Sequence, residues 1–155
     1  MKLSTRSRYG TRLILDMARH YNQGPIQLGE IAKRQNISLK YLEQIIRPLK
    51  KAKYIKSFRG SKGGHMLNKS PAEITVGEIV ALLEGGSTFT RCVENPETCD
   101  RVDRCLTRHV WQEASKALFE RLHEFNFADL LVLDHTVCAE GSTKIADACR
   151  RAPHP

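Results

Sequence analysis

Three of the chain's five cysteines, Cys92, Cys99 and Cys105, stand in one polar segment, RCVENPETCDRVDRCLTRH. A thiol placed among charged residues and a proline is either a ligand, a redox group or a bystander. The spacing Cys-x6-Cys-x5-Cys lacks the close Cys-x2-4-Cys pair that aims two sulfurs at one zinc ion. Wider gaps let a loop wrap around a larger group, and thiolates are the usual ligands of iron–sulfur clusters. Arg91, Arg101, Arg104 and Arg108 favour thiolates and offset an anionic cluster. His109 follows Cys105 by four positions and shares its helical face, which makes it a candidate nitrogen ligand. The same pair could instead serve as nucleophile and base. No orienting carboxylate or oxyanion-hole pattern accompanies it, so catalysis is the weakest of the readings, and the chain is expected not to be an enzyme. Two of the three thiols could also switch by forming a disulfide.

The elements that must position this loop begin with a strong charge asymmetry. Residues 1–69 carry sixteen Lys and Arg against Asp16, Glu30 and Glu43, a net of +13; residues 70–155 carry nine against fourteen acids, a net of −5. A compact basic half is the electrostatic footprint of a nucleic-acid binder. No apolar run is long enough to span a bilayer, so no membrane partner is expected. The first residues, MKLSTRSRYG, lack the apolar core of a signal peptide, so a cytoplasmic location is expected, where structural disulfides are rare.

Apolar residues at Tyr9, Leu13, Ile14, Met17, Ala18 and Tyr21 predict a helix over 7–20 that Gly24-Pro25 terminates. A short helix over 28–34 follows, and Ser38 caps a third, LKYLEQIIRPLKKA. Its apolar face is Leu39, Leu42, Ile45, Ile46 and Leu49; its polar face is Lys40, Glu43, Gln44, Arg47 and Lys51. Pro48 should bend its last turn. This is a helix-turn-helix pattern. Two short strands, 54–58 and 65–67, flank Arg59-Gly60-Ser61-Lys62-Gly63-Gly64, a cationic hairpin that supplies the wing. Thr75 and Glu78 make a capping box for a fourth helix ending at Gly85-Gly86, with Ile74 stapled to Ile79. Beyond the cysteines, Leu106, Val110, Trp111, Ala114, Leu118, Leu122 and Phe125 predict a long amphipathic helix whose stripe a partner subunit should cover. After Leu133 the periodicity fades, and a mobile tail holding Cys138 and Cys149 is expected.

The expected fold is therefore mainly α with a small β-hairpin. Its parts are a winged helix-turn-helix domain over 1–85, a cysteine-bearing loop over 86–105, a dimerisation helix over 106–131 and a tail over 132–155.

These segments together resemble the Rrf-type winged helix-turn-helix transcriptional regulators, and within them the IscR-like iron–sulfur branch. The resemblance covers about residues 1–131, through MKLSTRSRYG, ISLKYLEQIIRPLKKAKYI, SFRGSKGGHML, ITVGEIVALLEG and CLTRHVW. It implies a homodimer on a palindromic double-stranded DNA operator, sensing iron, cluster supply, nitric oxide or redox state. Tyr9, Ser38, Tyr41, Glu43, Gln44 and Arg59 match positions at the DNA surface, and Gly63 and Gly64 shape the wing. Lys40, Arg47, Ser61 and Lys62 join them as phosphate or base contacts. Cys92, Cys99 and Cys105 match cluster ligands, with 2Fe–2S favoured over 4Fe–4S. Two departures stand out: Arg108 holds the place where the branch has His, and the first cysteine gap is one residue longer. Some members, such as the CymR type, hold no cluster and switch by thiol oxidation or a partner protein, which is the alternative.

Overall fold

The structure is a computed structural model that describes residues 3–139, with side chains described through Leu133. Helix α1 (Thr5–Arg19) starts at Ser4, whose hydroxyl accepts from the Ser7 amide, and buries Leu13, Ile14, Met17 and Ala18. α2 (Leu28–Gln35) ends at Asn36 in the left-handed conformation, where asparagine is among the few tolerated side chains. α3 (Leu39–Lys51) is capped by the Ser38 hydroxyl on the Tyr41 amide, as expected. Its inner face, Leu42, Ile45, Ile46 and Leu49, is buried, and each such side chain removed from water stabilises by about 1.5–3 kcal/mol. Leu39, expected on that face, is instead exposed at the first position of the helix. The helix runs through Pro48 and ends one turn later.

Strands β1 (Ile55–Phe58) and β2 (Gly64–Leu67) form an antiparallel hairpin with Ile55 opposite Leu67 and Phe58 opposite Gly64. A lone two-stranded hairpin is marginal in water. This one is held by burial of Ile55 and Leu67 and by a bridge the sequence did not announce, reciprocal backbone bonds between Ile26 and His65 (3.0 and 2.8 Å). Gly64 permits that approach, because a Cβ there would lie 2.5 Å from the Ile26 carbonyl oxygen. The capping box at Thr75 and Glu78 is present and opens α4 (Val76–Glu84); Ile74 and Ile79 are both fully buried. A single core joins α1, α2, α3, the hairpin base, Ile74, α4 and Phe127.

The second half departs from expectation in three ways. A short helix α5 (Arg91–Glu94) and two single turns, Pro96–Thr98 and Val102–Arg104, occupy the cysteine segment, and none of them buries a residue. The segment expected as one helix over 106–131 is two, α6 (Leu106–His123) and α7 (Phe127–Ala139). The break is made by Asn126, whose side chain accepts from the Asp129 amide and caps α7. α7 also carries helix past Leu133 to Ala139, into the span expected to be mobile. Its first residue, Phe127, is fully buried in the core of the basic half. The Cys138 side chain and Cys149 lie outside the described part.

The stripe expected on α6 also divides. The residues α6 buries, Ser115 and Phe119, both lie off that stripe; of the stripe itself, Ala114, Leu118, Leu122 and Phe125 are half-buried, whereas Leu106, Val110 and Trp111 are exposed, Leu106 at 87%. Among the described residues, no helix is long and apolar enough to cross a membrane.

Candidate nucleic-acid interface and cysteine loop

α3 presents Lys40, Glu43, Gln44 and Arg47 to solvent, because the Leu42, Ile45, Ile46 and Leu49 face is taken by the core. Tyr41 is half-buried and meets Tyr9 of α1 edge-to-face, ring centroids 5.9 Å apart at 86°. These six positions therefore form one surface spanning two helices, with Ser38 at its edge as the α3 cap. Arg59, Ser61 and Lys62 stand at the exposed tip of the hairpin, where Gly60 takes a left-handed φ of 107°. The surface offers what duplex recognition needs: a capped helix N-terminus, guanidinium and ammonium groups, and an amide and a carboxylate suited to base edges.

His65, opposite Ser57 near the turn end of the hairpin, places Nδ1 2.9 Å from the Ser57 hydroxyl. Burial pushes its pKa below the ordinary value, and the nearby Lys50 charge adds to the effect.

The three loop thiols are unpaired and half-buried. Cys92 lies on α5, Cys99 ends the Pro96–Thr98 turn, and Cys105 is the residue before α6. Cys92 Sγ is 3.4 Å from the Thr90 hydroxyl. Cys105 Sγ is 3.2 Å from the Thr107 hydroxyl, and that bond, followed by the Arg108 amide, holds its pKa below the usual thiol range. His109 is exposed on α6. Among the described residues, no three His, Cys, Asp or Glu side chains gather as a metal site. The donor set suits an iron–sulfur cluster chemically, as three soft, unpaired thiols within one loop. Bringing them onto a common centre requires the loop to rearrange.

Two contacts missed in the sequence join this loop to α6. Arg108 Nε donates to the Cys92 carbonyl at 3.0 Å, and the Phe89 amide donates to the buried Ser115 hydroxyl at 3.0 Å. Arg108 thus clasps α5 to α6. A cavity of about 400 Å³ lies under the loop stem, lined by Leu3, Glu84, Phe89, Arg91 and Phe119 among others. At its far end α6 is tied to α4. Thr75 Oγ1 is 2.9 Å from His123 Nδ1, the Val76 amide donates to the Phe125 carbonyl (2.8 Å), and the Phe127 amide to that of Ile74 (3.1 Å). Gly77 is required there, since a Cβ would sit 2.7 Å from the His123 ring. α6 therefore runs from the cysteines to the core of the basic half.

Sequence reading also missed a buried carboxylate. Asp16 is 2% exposed on α1, bound by Arg34 and Gln35 of α2. Its partners lie eighteen and nineteen positions away, beyond any local pattern. The available clue was an acid set between Leu13, Ile14 and Met17 on an otherwise apolar face.

Residues 3–132 match the family model for Rrf2, described as an iron-dependent transcriptional regulator. The chain belongs to the Rrf2 family. A relative named Protein rrf2, from Nitratidesulfovibrio vulgaris, is 44% identical over 154 residues, covering 99% of this chain and 98% of its own length. Among solved structures of the Rrf2 fold, T. potens IscR matches with a TM-score of 0.69 and 38% identity, over 84% of this chain and 86% of that one. CymR, described as the global cysteine regulator of B. subtilis, matches with the same TM-score at 34% identity, over 84% and 95%. The chain is thus an IscR-like transcriptional regulator of the Rrf2 family, with the winged-helix architecture of those neighbours. The relatives are regulators rather than enzymes.

Proposed function

We propose that this regulator acts as a homodimer, placing two copies of α3 in successive major grooves of a palindromic operator, with affinity set by the state of the cysteine loop. The observation that carries this reading is α6, which ties the thiol-bearing loop at one end to the base-reading half at the other. Lys40, Arg47, Ser61 and Lys62 supply phosphate contacts, which makes binding steeply salt-dependent. Glu43 accepts from cytosine N4 and Gln44 pairs with adenine, while Arg59 enters a narrow minor groove. Tyr9, Ser38 and Tyr41 complete the surface. The exposed Leu106, Val110 and Trp111 of α6 are the apolar area a second copy would cover.

Cys92, Cys99 and Cys105 would hold an iron–sulfur cluster, 2Fe–2S in preference to 4Fe–4S, with His109 as the candidate fourth ligand. When bound, such a group supplies sensitivity to iron supply, oxidants or nitric oxide. The residues themselves do the rest. The thiols close the loop, the Arg108 clasp passes its position to α6, and the Thr75–His123 contact passes it to α4. A second reading, a cluster-free regulator switching by thiol oxidation or a partner protein, draws support from the equal likeness to CymR and from thiols that are ungathered in the loop as folded.

Anaerobic purification separates the two. The cluster reading predicts brown protein with iron and inorganic sulfide, lost in Cys99→Ala. Colourless protein with stoichiometric zinc, or none, contradicts it.

A further inference from the structure

A buried carboxylate persists only when its charge is met, and Asp16 accepts three hydrogen bonds, with His20 Nδ1 a further 3.9 Å from Oδ1. Arg34 donates through Nε to Oδ2 at 3.1 Å and through Nη2 to Oδ1 at 2.6 Å, and Gln35 Nε2 donates to Oδ2 at 2.8 Å. This fixes the Gln35 amide, because turning it over would set its oxygen against the carboxylate. Its Oε1 is then left to accept from Arg12 Nε at 3.0 Å, while Arg12 Nη2 donates to the Gln35 carbonyl. The same guanidinium lies 5.5 Å from the centroid of the Tyr9 ring, and Tyr9 packs edge-on against Tyr41 in the first turn of α3. A continuous series of contacts therefore runs from the interior of α1 to the outer face of α3. It crosses the start of the turn, at Gln35, that sets the angle of the reading helix.

We propose that Asp16, Gln35 and Arg12 form a positioning relay that determines which DNA sequences the protein prefers, although Asp16 is too deeply buried to touch DNA. The inference rests on the DNA-reading assignment above. Arg12 gives Nε and Nη2 to Gln35 and sets its guanidinium 5.5 Å from the Tyr9 ring centroid, so in the relay it braces the two tyrosines. Phosphate contacts come from other cations, so loosening the relay leaves general affinity standing and erodes discrimination.

The test uses the full-length protein and two probes: the duplex that the wild type enriches from a randomised library, and a scrambled duplex of the same composition. Affinity for both is read by fluorescence anisotropy over a range of salt. Asp16→Asn, Gln35→Met and Arg12→Lys should each lower the ratio of the two affinities about tenfold, on the scale of one misplaced base contact. The salt slope on the scrambled duplex should stay at the wild-type value in Arg12→Lys, which keeps the charge. The double variant Gln35→Met/Arg12→Lys should be no worse than its worse single change, because the residues act in series. Should Asp16→Asn fail to fold, the other two variants carry the test. Folded Gln35→Met and Arg12→Lys proteins with lowered Tm but an undiminished ratio would overturn the relay and leave a structural role only. A wild type that enriches no sequence at all would instead overturn the DNA-reading assignment, and the relay with it.

Discussion

The basic half and the cysteine loop are built on opposite terms. Through residue 85 nearly every apolar side chain of α1, α2, α3 and α4 points into one core, side chains cap the starts of α1, α3 and α4, and even the buried Asp16 is fully bonded. From 86 to 105 no residue is fully buried, the segment holds one four-residue helix and two single turns, and the stem stands over a cavity. A region with no fully buried side chain has little folding energy of its own and opens more readily than a packed core. The difference fits the proposed division of labour, in which packing preforms the reading surface and a ligand or a thiol reaction organises the loop. Proteins place their responsive elements at the low-stability end for this reason.

The sharpest way to break this contrast is to compare one deletion in each region. Leu42→Ala, at a fully buried site in α3, should cost about 2–5 kcal/mol in denaturant unfolding. Cys99→Ser, measured on iron-free protein, should stay within about 0.5 kcal/mol of wild type. Comparable losses at the two sites would mean the loop is as packed as the core.

The next largest effect belongs to the joint between the regions. Gly77→Ala forces the His123 ring away from α4, and overpacking of this kind costs about 1–3 kcal/mol. The outcome that sharpens the account is a variant with wild-type cluster content whose operator affinity no longer follows cluster loss. Unchanged coupling would place the route elsewhere than α6.

Within the reading surface, Gln44→Ala should cost about 1–3 kcal/mol of discrimination between the preferred duplex and its single-base variants. Lys62→Ala should weaken all duplexes alike and lower the salt slope by about one. Equal loss on every sequence from both changes would contradict the groove assignment.

The smallest effect is a pH slope from the wing. The His65 pKa is depressed in the folded state, so on acidification the unfolded chain takes up the proton first. Stability from this residue is complete above about pH 6.5 and falls as pH drops below it. Melting followed between about pH 7 and pH 5 should show a decline that His65→Gln reduces. An identical decline in the variant would assign it to other groups.

How far the sequence could be read follows the same division. Ser38, the Thr75–Glu78 capping box, the hairpin and the two faces of α3 apart from the exposed Leu39 were legible, because each is written in short-range spacing along the chain. α7 was not. The fading periodicity after Leu133 hid a helix whose start, Asn126 three residues before Asp129, is a cap pattern. The Asp16–Arg34 pair and the Arg108–Cys92 clasp join residues eighteen and sixteen positions apart, and only the packed chain brings them together. For the site, the candidate reading residues Tyr9 and Tyr41 do meet, whereas the three thiols, adjacent in sequence, do not gather. Proximity along a chain sets a loop's donors; only a bound group or a packed core sets their geometry.

The most direct measurement is operator affinity on one anaerobic preparation, taken before and after removal of iron, with Cys99→Ser alongside. Coupling through the loop and α6 predicts a change of at least about fivefold between the two forms, absent in the variant. Equal affinity in both forms, in a protein that does prefer its operator, would contradict it.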